Sequence, residues 1–259
     1  MMRISFLSML LLILTGYSAI GQVVIDTDRP DQTESATVLP KYYFQLETGL
    51  IREKDHDLVT FVHPTALWKY GIHKRLELRL ITELVSTETP IILPAGNKIL
   101  TGLLPIQIGS KISLWEEKGL LPKTSLIAQL GLPASSSKKF RPSHPAPNFR
   151  LAMAHTLGEN FGLGYNLGAE WDGENRSPHW IYSIAPGYCI SEKWYLYIEF
   201  FGSAVKGAMP QNNIDGGVAY NLSDNCKLDL SLGKGISKGA IDKYIALGFS
   251  FRVKTKNNP

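Results

Sequence analysis

Beyond its first residues, the chain has no run of about 18 apolar residues, so no membrane-spanning helix is expected. It carries little net charge: +4 over 259 residues, scattered rather than clustered. That excludes the basic stripe a nucleic-acid partner would require. It has two cysteines, Cys189 and Cys226, which could pair in an exported chain but whose spacing does not decide the matter. No cysteine follows the apolar start, which excludes lipid attachment at a lipoprotein N-terminus.

What is present begins with that start. Arg3, the apolar run Ile4 to Leu14 and the small residues Ala19-Ile-Gly21 form a secretory signal, placing the mature N-terminus near Gln22. Removing residues 1–21 takes Arg3 with it and lowers the net charge from +4 to +3.

From Lys41 onward the chain alternates apolar and polar residues with a period of two, the pattern of strands with one apolar face. In Phe161-Gly-Leu-Gly-Tyr-Asn-Leu-Gly-Ala-Glu-Trp171 the large residues occupy odd positions. In Tyr244-Ile-Ala-Leu-Gly-Phe-Ser-Phe-Arg252 the apolar residues Ile245, Leu247, Phe249 and Phe251 face away from Ala246, Gly248, Ser250 and Arg252. About twelve such segments, most near the 9–11 residues of a tilted membrane strand, fit an all-β, transmembrane, antiparallel up-and-down β-barrel. One of them is expected over residues 102–115 as a single strand. Tight turns at His73-Lys-Arg75, Gly158-Glu-Asn160, Ser191-Glu-Lys193 and Leu222-Ser-Asp-Asn225 alternate with longer segments, as periplasmic turns alternate with outer loops.

A soluble barrel would also alternate. The tryptophans decide otherwise, because they sit at strand ends: Trp68, Trp115 and Trp194 at the periplasmic end, Trp171 and Trp180 at the outer end. Amphipathic rings prefer the headgroup level, so these form two girdles. Strict alternation would put Trp115 on the polar face, which a bulge would correct. The resulting organisation is a signal peptide at 1–21, a periplasmic lead-in or plug at 22–40, an outer-membrane barrel at 41–253 and a tail at 254–259.

The order of "TDRPDQTES", "YFQLETGL", "WKYGIHKRLELRL", "IGSKISLW", "YIEFFG" and "DGGVAYNLSDNCKLDLSLGKGI" resembles the transporter-like outer-membrane family named after the meta-cleavage pathway of phenol degradation. The likeness spans nearly the whole mature chain. It implies a barrel in the cell outer membrane and transport, and it does not name a solute.

The polar face supplies the candidate pore lining: Tyr43, Glu47, Glu77, Arg79, Glu83, Lys111, Arg150, Glu170, Tyr195, Tyr197, Glu199, Asp215, Asp229, Tyr244 and Arg252. Phe201 adds a further inward ring, while Gly162, Gly164, Gly168, Gly187 and Gly217 are expected to keep the opposite wall thin. A mixed aromatic and charged wall suits a small amphipathic or aromatic solute. The lead-in "DTDRPDQTE" offers Asp28, Arg29 and Asp31, with Arg29 expected to pair with an inward acid such as Glu47 or Glu77. Its acidic spacing hints at a calcium loop, but Asp31 stands where the sixth-position glycine belongs, so no metal is expected. No cofactor and no catalytic residue are expected. The expected partners are outer-membrane lipid, a small-molecule solute and the barrel assembly machinery, with no nucleic acid and the oligomeric state open. Two rival readings are a structural or adhesin-like barrel and a barrel lipid hydrolase, the latter built from His63 or His155 with Ser110 or Ser183.

Overall fold

The computed structural model describes residues 24–90 and 97–256. The expected signal peptide, the start of the lead-in, the tip of the Thr87 to Thr101 loop and the last three residues of the tail lie outside these residues. Thirteen strands run in sequence: β1 (Tyr43–Asp55), β2 (Leu58–His73), β3 (Leu76–Pro90), β4 (Asn97–Leu103), β5 (Ile106–Trp115), β6 (Lys123–Leu132), β7 (Ala146–Thr156), β8 (Phe161–Glu170), β9 (His179–Cys189), β10 (Trp194–Ala204), β11 (Gln211–Ser223), β12 (Cys226–Gly235) and β13 (Lys243–Lys254). Neighbours in the sheet are antiparallel, and β1 pairs with both β2 and β13, which closes the barrel, while β4 at one rim pairs with β3 alone among the described residues.

The wall has twelve staves, because β4 and β5 share one. β3 pairs through Leu84–Pro90 with β4 and through Leu76–Ile81 with β5. The single strand expected over 102–115 is therefore broken, and the physical reason is Pro105, which has no amide hydrogen to continue the ladder. The break is closed by local donors and acceptors. Leu104 N donates to the Glu83 carbonyl at 2.9 Å, Leu103 N to Ser137 Oγ at 2.9 Å and Ile106 N to Ser135 Oγ at 2.8 Å.

Side chains alternate across the wall, and the usual order of inside and outside is reversed. The buried side chains include Gln45, Glu47, Glu77, Lys111 and Glu199, whereas Leu50, Leu78, Leu167, Ile198, Leu232 and Leu247 are exposed. A water-soluble barrel would bury the second set; a membrane barrel presents it to lipid. Aromatic side chains cluster toward the ends of the staves. At the periplasmic end Phe44 lies 6.2 Å from Trp68 and Trp194 lies 4.6 Å from Tyr220, and at the other end Phe149 meets Trp171 edge-on at 6.4 Å. A register shift between Ser113 and Trp115 turns Trp115 to the exposed side while Ser113 stays buried, the bulge that alternation required.

Two cysteines on opposite faces complete the wall. Cys189 falls in the inward set of β9 and Cys226 in the outward set of β12, and both are free thiols.

Candidate functional site

Residues 24–40 run through the lumen as a bent segment. Ile25 N donates to the Asp224 carbonyl at a periplasmic turn, and the chain then climbs to Pro30 and Asp31 before descending to Leu39 and Pro40. No regular ladder holds it. Inward side chains of the wall satisfy its backbone instead, as a buried irregular segment requires.

One side of the segment is anchored by charge. Asp28 meets three cations at once: Lys69 at 2.9 Å, Arg79 at 3.1 Å and Lys111 at 2.7 Å. Arg79 also holds Glu34 at 2.7 Å and Glu77 at 3.3 Å, and Glu47 pairs with Lys69. Each carboxylate is thus opposed by a cation and every ion has a partner, the condition under which buried charges are tolerated. Asp28 and Glu34 are taken up by lysine and arginine in one ion-pair network.

Arg29 does pair with an inward acid, but not with either of the two offered as examples. Its guanidinium pairs with Asp229 at 3.1 Å, not with Glu47 or Glu77. Glu47 accepts the backbone N–H of Asp28 at 2.9 Å and of Arg29 at 3.2 Å, and Glu77 accepts that of Leu39 at 2.6 Å. Both acids accept backbone N–H groups of the segment, and an acid 200 positions away takes the Arg29 side chain. Glycines make the passage possible: a Cβ at Gly49 would lie 2.8 Å from the Arg29 guanidinium carbon, and one at Gly71 would overlap the Pro40 carbonyl.

The other side of the segment is held by neutral and acidic acceptors. Gln32 N donates to Glu199 Oε2 at 2.7 Å, the Thr33 hydroxyl bonds Glu199 and, at 2.7 Å, Ser183, and Glu34 N donates to Asn166 Oδ1 at 2.7 Å. Arg150 donates to the Gln32 carbonyl at 3.0 Å. This seam divides the lumen. On the periplasmic side lies a cavity of about 680 Å³ between the segment and the ends of β7–β11, with Lys123, Cys189, Tyr195 and Lys227 in its wall. On the outer side lie two chambers: one of about 270 Å³ beside Arg150, Tyr182, Phe201 and Asn213, and one of about 260 Å³ beside Glu47, Glu53, Glu83, Gln129 and Tyr244.

The remaining candidates fall along these spaces. Tyr43 packs under the Arg252 guanidinium at 5.3 Å, at the inner end. Glu83 and Glu170 line a further cavity of about 220 Å³ beside the Pro105 break. The Tyr244 hydroxyl donates to Asp215. Gly162 and Gly164 border the inner cavity, but at two of the five expected glycines the wall is filled. The Tyr195 phenol covers Gly187 and the Tyr197 ring covers Gly217, because a ring from the neighbouring strand fills the space the missing side chain leaves.

The hydrolase candidates are not brought together. Ser183 is bonded to Thr33 inside, Ser110 pairs across from Leu78 on the lipid side, and His155 stacks on Tyr165 at 5.9 Å beside Glu117. His63 instead meets Ser86 at 2.7 Å, and Ser86 meets Thr101 at 2.7 Å. Sequence reading missed this chain, because a register shift between Val62 and Thr65 turns His63 outward with Ser86. The hydroxyls and imidazole satisfy one another on a surface where lipid offers no partners.

A closed, apolar-belted barrel with a charged lumen defines the class: the fold is that of an outer-membrane β-barrel. The chain belongs to the family described as "Putative MetA-pathway of phenol degradation", which matches residues 27–253. Among solved structures it is similar to the COG4313 outer membrane channel from Pseudomonas putida F1, at 12% identity and a TM-score of 0.64, covering 87% of this chain and 99% of that one. It is also similar to the NanC porin (7% identity, TM-score 0.55, 81% of this chain and 100% of that one). The KdgM porin matches at 10% identity and a TM-score of 0.52, over 80% of this chain and 98% of that one. No curated protein matches it.

Proposed function

We propose that the protein is a channel of the outer membrane whose lumen is plugged by its own N-terminal segment and which passes small amphipathic molecules. The observation that carries this reading is the seam at Gln32–Glu34, which divides otherwise continuous lumen into outer chambers and an inner vestibule. Charged and aromatic side chains alternate around the spaces, so a solute with one polar end and one ring or short apolar body finds partners for both. Gln129 Nε2 and Asn148 Oδ1 are buried, unpaired among the described residues and positioned at the outer chambers, which suits them to a passing polar group. The solved channels and porins of the same fold support the reading, the more so because they are covered almost end to end.

The reading contains no chemical step. The plug and wall residues bind and orient. Purified protein reconstituted into planar bilayers and liposomes is expected to give a small, flickering conductance and slow swelling with small solutes. A reconstituted protein that gives neither, while remaining folded, overturns it.

A further inference from the structure

The outward faces of the strands are apolar almost throughout, with one basic exception. Lys54 on β1 lies directly opposite Lys243 on β13. Lys234 on β12 stands one position beyond the last ladder pair, Gly233↔Tyr244, beside Lys243 on the neighbouring strand, and the ladder leaves its register just after, where Gly235 N donates to the Ile241 carbonyl at 2.7 Å. All three belong to the outward sets of their strands, at the end where β1, β12 and β13 meet the outer turns. Neighbouring strands are about 4.8 Å apart, so the three ammonium-bearing stems form a row roughly 10 Å long at their bases. Arg52 lies two residues below Lys54 on the same face, its guanidinium over the Phe61 ring at 5.5 Å.

Like charges directly opposite each other destabilise a sheet unless something offsets them. No carboxylate among the described residues forms an ion pair with Lys54, Lys234, Lys243 or Arg52. The nearby acids of the turn, Asp55, Asp57 and Asp242, gather around His56 and not the lysines: Asp55 meets His56 Nδ1 at 2.8 Å, and Asp242 accepts the His56 backbone N–H at 2.8 Å. Directly beneath the row the surface is the lipid-facing belt, with Leu50, Leu232, Ile245 and Leu247 exposed. Lysine stems lying along such a belt carry their charges to the headgroup level.

We propose that this row is a docking site for the phosphate groups of an anionic glycolipid of the outer leaflet. The inference rests on the outer-membrane reading of the fold. Charge complementarity selects the occupant, and the length of the row fits a headgroup with more than one phosphate better than a single phosphate. The bound lipid offsets the repulsion between the lysines and fixes the β13–β1 seam where the barrel closes.

The test uses the full chain purified in detergent, incubated with diphosphoryl lipid A, its dephosphorylated form or phosphatidylglycerol, and analysed by native mass spectrometry. The protein is expected to retain diphosphoryl lipid A at least about tenfold better than the dephosphorylated form. K54Q/K234Q/K243Q is expected to lose that preference, and K118Q, at a periplasmic turn, to keep it. Heat-modifiable gel mobility reports that each variant is folded. Should the triple variant fail to fold, K243Q alone is expected to weaken the preference by about threefold. An unchanged preference in the folded lysine variants overturns the proposal, as does equal retention of the dephosphorylated lipid or of phosphatidylglycerol. A protein that fractionates outside the outer membrane would instead overturn the reading beneath it.

Discussion

Arg29 and Asp229 face each other across the lumen at 3.1 Å, although 200 positions separate them in the chain. The Asp229 side chain is wholly buried, and Gly49 and Gly248 clear the space the guanidinium occupies. This contact joins the tip of the N-terminal segment to the last hairpin of the wall, where the barrel closes.

R29A is therefore expected to loosen the plug without opening the wall. A hydrogen bond to a charged group contributes about 1.5–3 kcal/mol, enough to shift a bound-to-free equilibrium roughly 10- to 100-fold. Single-channel recordings should show a longer-lived, larger conductance level in R29A. Recordings indistinguishable from the unmodified protein would remove Arg29 from the gate.

Asp28 is the shared partner of Lys69, Arg79 and Lys111. Asp28→Asn leaves three buried cations with less countercharge, and breaking a buried pair costs about 3–5 kcal/mol. The temperature at which the folded band converts to the unfolded band on a gel should fall for Asp28→Asn. It should stay unchanged for Asp26→Asn, whose side chain bonds only the Ser35 hydroxyl among the described residues.

Gly71 lies against the Pro40 carbonyl where the segment turns into β1. Gly71→Val is expected to displace residues 36–40 while the staves hold. Limited proteolysis should then cut the N-terminal segment at least several times faster, with heat-modifiable mobility retained; a segment still protected would argue against this anchor.

The two cysteines give a test of the vestibule. Cys189 lines the inner cavity and Cys226 faces the other way. A charged methanethiosulfonate added from the periplasmic side should reduce conductance in the unmodified protein and in Cys226→Ser, and have no effect on Cys189→Ser. Non-reducing gels should show no internal disulfide.

The outer loop after β8 carries the pH prediction. Asp172 accepts the backbone and side-chain N–H groups of Asn175 and the N–H of Glu174, which lowers its pKa to about 2. The sign follows from a depressed carboxylate: its contribution is present above the ordinary value near 4 and is lost as pH falls through about 2. The protection of the Glu174 and Asn175 amides relative to their intrinsic exchange should hold down to about pH 4 and fall as pH drops through about 2; Asp172→Asn should remove that pH-dependent change in protection.

Much of this was legible in the residues. A period of two sets which side chains share a face, so the inward placement of Glu47, Lys111 and Glu199 needs no coordinates. The tryptophans at strand ends and the alternation of short and long connections carry the membrane and its direction. Even the Trp115 bulge could be stated, because only a bulge reconciles an interfacial ring with the polar face.

What alternation cannot reach is anything that depends on distance around the barrel. It says that Arg29 needs an acid, but not that Glu47 and Glu77 would be used on the backbone and leave Asp229 for the guanidinium. It says that Gly187 faces inward, but not that Tyr195 would lie over it. His63 meets Ser86 only because a bulge reverses its side, and the lysine row exists only because closure sets β1 against β13. Periodicity is a property of each strand by itself and is fixed by backbone geometry; register, closure and the path of the plug arise from pairings between distant segments, which only the folded chain brings together.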